Sequence, residues 1–285
     1  MKRFILIAFF PFLLIGTANA KLSVNTSLFI ISTIVKYIGA DRVEVSYVIP
    51  PSSNPHLFSP TPKSLVSFKS ADLFVGVGCG LEFWFDRVSF LRDGKPALFL
   101  CSLYKNPIGA FRLGKKLYAN PHIWFDLTFM KDIAIPQMVK EMCKLDRNGC
   151  GLYKVREQKY IAKLSKIIDE YRAFFENHKD LCFVDVKPAF EYLFRSMGKG
   201  SCGVVEKDEN SMPRLGDLKR LLERCKCKSG LVVYIGNGHM AESIARLLGY
   251  RTVFLNPLGS LRNKWINSYL KLLVFNLSQL KKAVK

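Results

Sequence analysis

The stretch GLYKVREQKYIAKLSKIIDEYRAFFENHK constrains this chain more than any other. Tyr153, Tyr160, Ile161, Leu164, Ile167, Ile168, Tyr171, Phe174 and Phe175 recur at helical spacing with charged residues between them, the pattern of one long amphipathic helix. About twenty-five residues at 1.5 Å each would run roughly 38 Å, the full height of a protein this size. A coiled-coil partner helix is the competing reading, but the apolar stripe lasts only about three heptads.

The segments on either side read alike. Before the helix, SLFIISTIVKYIG has helical spacing and a glycine stop, VEVSYVIP is a strand, TPKSLVSFKSA a short helix, and DLFVGVGCG and KPALFLCSL are strands. After it, LCFVDV, GVVE and GLVVYIG are strands and YRTVFLNPLGS a strand and loop, separated by the helices PAFEYLFRSMG, RLGDLKRLLERCK and HMAESIARLLG, and WINSYLKLLVFNLSQLKKAV closes the chain as an amphipathic helix. Repeated strand, helix, strand order implies parallel sheets covered by helices. The expected fold is therefore α/β: two lobes with parallel sheets flanked by helices, joined by one long linking helix. The expected division is an N-terminal lobe at 21–150, the linking helix at 151–178 and a C-terminal lobe at 179–285.

Residues 1–20 read as a cleavable signal peptide. Lys2 and Arg3 precede an apolar run that ends at Ala18-Asn19-Ala20, in the order of a secretory leader. The run is short and broken by Pro11, whereas a membrane span needs about twenty apolar residues. No cysteine stands at the cut, so an exported chain without a lipid anchor is expected. Export makes the eight cysteines candidates for disulfides. Cys143 and Cys150 flank a turn-like KLDRNG, and Cys79 and Cys101 each follow a short apolar strand; these are the two expected pairs. Cys225 and Cys227 have one residue between them where zinc pairs have about two to four, which leaves a disulfide or free thiol.

The formal charge is +20, and +18 without Lys2 and Arg3. That favours acidic partners or anionic surfaces, although the basic residues are scattered as on a solvated face. Nucleic acid is not expected as a partner, because the leader directs the chain outward and no nucleic-acid module is present. Enzymatic chemistry is not expected either: there is no Ser-His-Asp order, no H-E-x-x-H, and GVGCG lacks the Gly-Lys-Ser/Thr ending of a phosphate loop.

Ligands of open α/β sheets sit beyond the carboxyl ends of strands. His56 follows one such end, and His122 lies in the loop YANPHIWFDLTFM, before a helix that Asp126 could cap. Four segments, NPHLFSPTPKSLVSFKSADLFVGVGCGLEFW, NPHIWFDL, FVDVKPAFEYLFRSMG and AESIARLLGYRTVFLNPLGS, resemble in order the ligand-bearing segments of the metal-ion branch of ABC-transporter solute-binding proteins. The resemblance spans essentially the whole chain after the leader. It implies a periplasmic zinc- or manganese-type binding protein, acting as a monomer with an ABC permease, and carrying a divalent ion as transported ligand.

In that family four positions supply the ligands: three histidines, or two and a carboxylate, and a final acidic residue. This chain matches at His56 and His122 but has Lys187 and Asn256 at the other two. An ammonium offers no lone pair, and an asparagine offers one neutral carbonyl. His239, Asp185, Glu82 and Cys79 are candidate substitute donors, with a surface or capping role the plainer reading for His239 and His178. Strand alternation would put Asp185 and Lys187 on one side, leaving a neutralising pair and a ligand-facing lysine both open. The region between the two histidine loops is basic and lacks histidine, unlike the ion-gathering loop of many zinc importers. A second expectation therefore stands beside the first: a diverged member that has lost its bare-metal site and binds an anionic solute, a metal chelate or an envelope component.

Overall fold

The computed structural model describes residues 21–109, 111–113, 116–206 and 215–285; the expected signal peptide lies outside the described residues. The first lobe is built on β1 (Leu22–Leu28), α1 (Phe29–Gly39), β2 (Val43–Ile49), α2 (Pro62–Ser70), β3 (Leu73–Gly76) and β4 (Ala97–Phe99). Its four strands are all parallel, in the order β2-β1-β3-β4. A small antiparallel hairpin follows, β5 (Phe111–Leu113) and β6 (Lys116–Tyr118).

Next come α3 (Ile135–Leu145) and the long helix α4 (Cys150–Asn177). The second lobe contains β7 (Leu181–Asp185), α5 (Glu191–Ser196), β8 (Ser201–Val204), α6 (Leu215–Arg224), β9 (Ser229–Tyr234), α7 (His239–Leu248), β10 (Arg251–Phe254) and α8 (Tyr269–Ala283). Its strands are again all parallel, in the order β10-β9-β7-β8.

Helix α4 has 28 residues, which makes it about 42 Å long. It buries Tyr153, Tyr160, Leu164, Ile167, Ile168, Tyr171, Phe174 and Phe175. Full burial of an aliphatic or aromatic side chain contributes about 1.5–3 kcal/mol, so this stripe, and not intrinsic propensity, fixes the helix in place. Arg156 Nε donates to the Tyr37 carbonyl of α1 at 2.7 Å, and the Tyr171 hydroxyl donates to the Leu273 carbonyl of α8 at 2.8 Å. One rigid element is thus fastened to both lobes. Cys79–Cys101 and Cys143–Cys150 are disulfides as expected, and Cys182–Cys227 is a third.

Strand β1 is one of the two inner strands of its sheet although it is half polar. Asn25, Thr26 and Ser27 are fully buried. Asn25 Nδ2 donates to Ser46 Oγ at 2.7 Å and to Ser67 Oγ at 3.2 Å, and the Thr26 hydroxyl donates to the Leu28 carbonyl at 2.9 Å. Burial of the Asn25 amide N–H groups and the Thr26 hydroxyl is tolerable because these neighbours accept their hydrogen bonds, whereas Asn25 Oδ1 and Ser27 Oγ are buried without a hydrogen-bond partner.

Candidate metal centre

His56 and His122 come from separate loops of the first lobe and meet. Each is the third residue of an Asn-Pro-His tripeptide, and the same device shapes both turns. Asn54 Oδ1 accepts the His56 backbone N–H at 3.0 Å, and Asn120 Oδ1 accepts that of His122 at 3.0 Å. Such side-chain-to-backbone bonds stabilise tight turns outside helices and strands. Beyond the first loop, α2 begins with a Thr61/Ser64 capping box and Pro62 at its first turn, so the loop is anchored where it ends. Beyond the second, Asp126 Oδ1 accepts the Phe129 N–H at 2.9 Å, the cap expected from the sequence.

The two Nε2 atoms lie 3.5 Å apart. Two imidazoles bound to one tetrahedral zinc at about 2.0–2.1 Å would hold their nitrogens about 3.3–3.4 Å apart, so the rings already stand at nearly the spacing one ion requires. The tautomer of His122 is set from behind: its Nδ1 is 2.8 Å from Asn120 Oδ1, a pure acceptor, so Nδ1 carries the proton and Nε2 presents its lone pair to His56. Burial, and secondarily the charge of His56, holds the His122 imidazole well below the ordinary histidine pKa. It is therefore neutral and able to ligate at physiological pH.

The second lobe grips this histidine loop. Asn120 Nδ2 donates to the Pro188 carbonyl at 2.7 Å and to Glu191 Oε2 at 3.0 Å. The Tyr192 hydroxyl donates to the Asn120 carbonyl at 2.8 Å, and Trp124 Nε1 donates to the Pro257 carbonyl at 3.1 Å. Burial raises the Glu191 carboxyl, opposed by its bond from Asn120. Asn120, Glu191 and Tyr192 escaped the sequence reading; the repeated Asn-Pro-His was the signal that could have exposed the first of them.

The residues at the other two positions behave differently. Lys187, just past β7, forms an ion pair with Glu206 at 3.5 Å. Asn256, just past β10, accepts the N–H groups of Leu258 at 3.0 Å and Gly259 at 2.7 Å on its single side-chain oxygen. Of the candidate substitutes, Asp185 is wholly buried, and neither carboxylate oxygen has a hydrogen-bond partner. Burial, reinforced by Glu191, drives its pKa well above the usual carboxylate range.

His239 is exposed at the first turn of α7, its backbone N–H bonded to Asn237 Oδ1 at 3.0 Å. Cys79 is consumed by its disulfide, and Glu82 accepts the N–H groups of Val77 and Gly78 at 2.9 and 2.8 Å, bracing the turn after β3. Among the described residues, the single group of three His, Cys, Asp or Glu donors within 4.8 Å of one another is Cys182, Cys202 and Cys227, which does not include the histidine pair.

Comparison with known proteins shows the family and the fold. The profile of the family described as ZnuA, zinc-uptake complex component A, periplasmic, matches residues 24–283. The high-affinity zinc uptake system protein ZnuA of Bacillus subtilis is 24% identical over 289 residues, covering 94% of this chain and 90% of that protein. The manganese-binding lipoprotein MntA of Halalkalibacterium halodurans is 23% identical over 210 residues, covering 72% of this chain and 67% of its own. The Mn-bound periplasmic metal-binding protein of Candidatus Liberibacter asiaticus, in a mutant form, superposes with a TM-score of 0.80 at 21% identity over 92% of this chain and 100% of that one.

Proposed function

We propose, for a chain that belongs to the family of periplasmic zinc-uptake complex A components, that His56 and His122 hold the transported ion. The protein is a metal-binding solute-binding protein for ABC import, with a divalent ion of the zinc or manganese type as its cargo. The observation that carries the site assignment is the pair of imidazole nitrogens 3.5 Å apart, one of them tautomerically fixed by Asn120.

Two imidazoles leave a tetrahedral or larger shell incomplete. The carboxylate that meets the residue at the third position is Glu206, which pairs with Lys187. Release of that lysine would offer the Glu206 carboxylate to the ion, with solvent filling the remaining positions. Asp185, buried in the strand, and His239, exposed at the start of a helix, are the other candidate donors. The pairing of Lys187 with Glu206 also removes much of the attraction an anionic solute would find there, and family membership favours a cation.

The family is one of binding proteins that work with a permease, not of enzymes, and acts outside the cytoplasm. No helix among the described residues is long and apolar enough to cross a membrane. We read this chain as a periplasmic monomer without a lipid anchor or nucleic-acid partner, divided at 21–150, 151–178 and 179–285. Elemental analysis and calorimetric titration of residues 21–285 with zinc and manganese test the proposal. One ion per chain is expected, with affinity reduced at least about a hundredfold in His122→Ala. No bound metal and no titration heat in the unaltered protein would overturn it.

A further inference from the structure

Four cysteines converge at the amino-terminal edge of the second sheet, at the opposite end of its strands from the loops of Lys187 and Asn256. Cys182 is in β7, Cys202 in β8, and Cys225 and Cys227 lie between α6 and β9. Cys182 and Cys227 are bonded, while Cys202 and Cys225 carry thiols.

The backbone aims Cys202 at the others. In the β7/β8 ladder Phe183 pairs with Ser201 and Val184 with Gly203, so Cys202 is the extra residue of a bulge, a device that redirects a side chain. Gly203 beside it lets α6 approach: a Cβ there would sit 2.7 Å from Leu221 Cδ1. On the other side the Tyr250 hydroxyl lies 3.2 Å from the Cys225 carbonyl and 3.4 Å from that of Cys227, which steadies the segment carrying both. The sulfurs of Cys182, Cys202 and Cys227 lie within 4.8 Å of one another, and Cys225 is buried in the cluster against which all three of those cysteines pack.

Two outcomes are chemically open to four such sulfurs: a tetrathiolate metal site or two disulfides. A zinc ion at about 2.3 Å from four sulfurs needs all six S···S distances near 3.8 Å. Cys225 falls outside the group of three although it is buried in the same cluster, an arrangement unlike a tetrahedron and compatible with two neighbouring pairs. The family's extracytoplasmic setting also favours oxidation.

We propose that Cys202 and Cys225 form a fourth disulfide, so that two adjacent cross-links fasten the edge of the second lobe. Each thiol gives up one proton and one electron as the Sγ–Sγ bond forms. A disulfide of an exported thiol oxidoreductase, or a small-molecule disulfide, takes up both electrons and both protons and becomes two thiols. The bond joins β8, the edge strand of its sheet, to the end of α6. That strand leads directly to Glu206, the partner of Lys187, so the cross-link steadies the backbone that delivers this carboxylate. The assignment does not depend on which ion, if any, occupies the histidine site.

Thiol mapping of the full chain, exported into an oxidising compartment and alkylated under denaturing conditions before reduction, tests this. Trypsin cuts at Arg224, Lys226 and Lys228, which separates Cys225 from Cys227 and makes the pairing unambiguous. The expected result is no alkylated thiol and a peptide linking Cys202 to Cys225. Alkylation of Cys202 and Cys225, linkage of either to Cys182 or Cys227, or a stoichiometric metal retained by the four sulfurs would overturn the proposal. In Cys202→Ser one alkylated thiol, Cys225, is expected with Cys182–Cys227 intact; label on Cys182 or Cys227 would count against it.

Discussion

The two lobes use the same turn chemistry and obtain different results from it. In the first, Asn54 and Asn120 spend a side-chain oxygen on the backbone of the next loop residue but one, and the residue so positioned is a histidine with Nε2 directed at its counterpart. In the second, Asn256 stands where the family resemblance places a ligand and spends its oxygen on Leu258 and Gly259. An aspartate there has two oxygens and could brace the turn with one while offering the other to an ion; asparagine has one oxygen, and the turn takes it. Loop scaffolding and donor delivery are therefore separable, and this chain keeps the scaffold in both lobes but the proposed donor pair in one.

If that contrast is right, the first lobe should be damaged by loss of its support and the second improved by restoration of its donors. Asn120→Ala removes the acceptor that fixes the His122 tautomer and the donor that reaches Pro188 and Glu191. Loss of such a supporting group costs about 10–100-fold in metal affinity. Calorimetry should show this weakening with His56 and His122 both intact; an unchanged affinity would mean that the tautomer is not set by Asn120.

A smaller gain is expected in the other lobe. Lys187→His with Asn256→Asp replaces an ammonium and a spent amide by two donors, and zinc affinity should rise by roughly tenfold or more, about 1.4 kcal/mol for each factor of ten. Competition against a chromophoric chelator would measure it. Equal affinity before and after would show that the second lobe faces the ion with something other than these two positions.

The large features were legible because each is repeated along the chain. The apolar stripe of α4 survives over 28 residues, and the alternation of strand and helix recurs in both lobes. Strand β1 was not read, since Asn25, Thr26 and Ser27 look like a loop until the hydroxyl and carbonyl partners of Asn25 and Thr26 on β2, α2 and β1 itself are known. The hairpin of β5 and β6, with three residues in each strand, is too short to show a period. At the site, His56 and His122 were visible as Pro-His pairs, and Asp126 as a cap. Neither Glu191, 71 residues from Asn120, nor Glu206, paired with Lys187 across the sheet edge, has any local pattern to announce it. Their roles exist only once the fold has brought them there.

The lobes also differ in how they hold α4, and acid should separate them. At the first lobe the joint is ionic: Arg42 donates to both oxygens of Asp146 at 2.9 and 3.0 Å, and Tyr153 donates to Asp146 at 2.6 Å. At the second it includes the neutral bond from Tyr171 to the Leu273 carbonyl. The Arg42 hydrogen bond is the main cause that lowers the Asp146 pKa from 3.8 to about 2. A carboxyl depressed in the folded state contributes stability that is complete above its unfolded value and fades as pH falls through the folded one. The contribution should thus be whole at pH 5 and above and largely gone near pH 2. Because the pair is partly exposed, screening keeps it modest. Asp146→Asn should lower the melting temperature by roughly 2–4 °C at neutral pH, with the difference from the unaltered protein closing as pH approaches 2. A gap that stays constant across that range would place the effect in the lost Gly149 N–H bond to Asp146 and not in the charge.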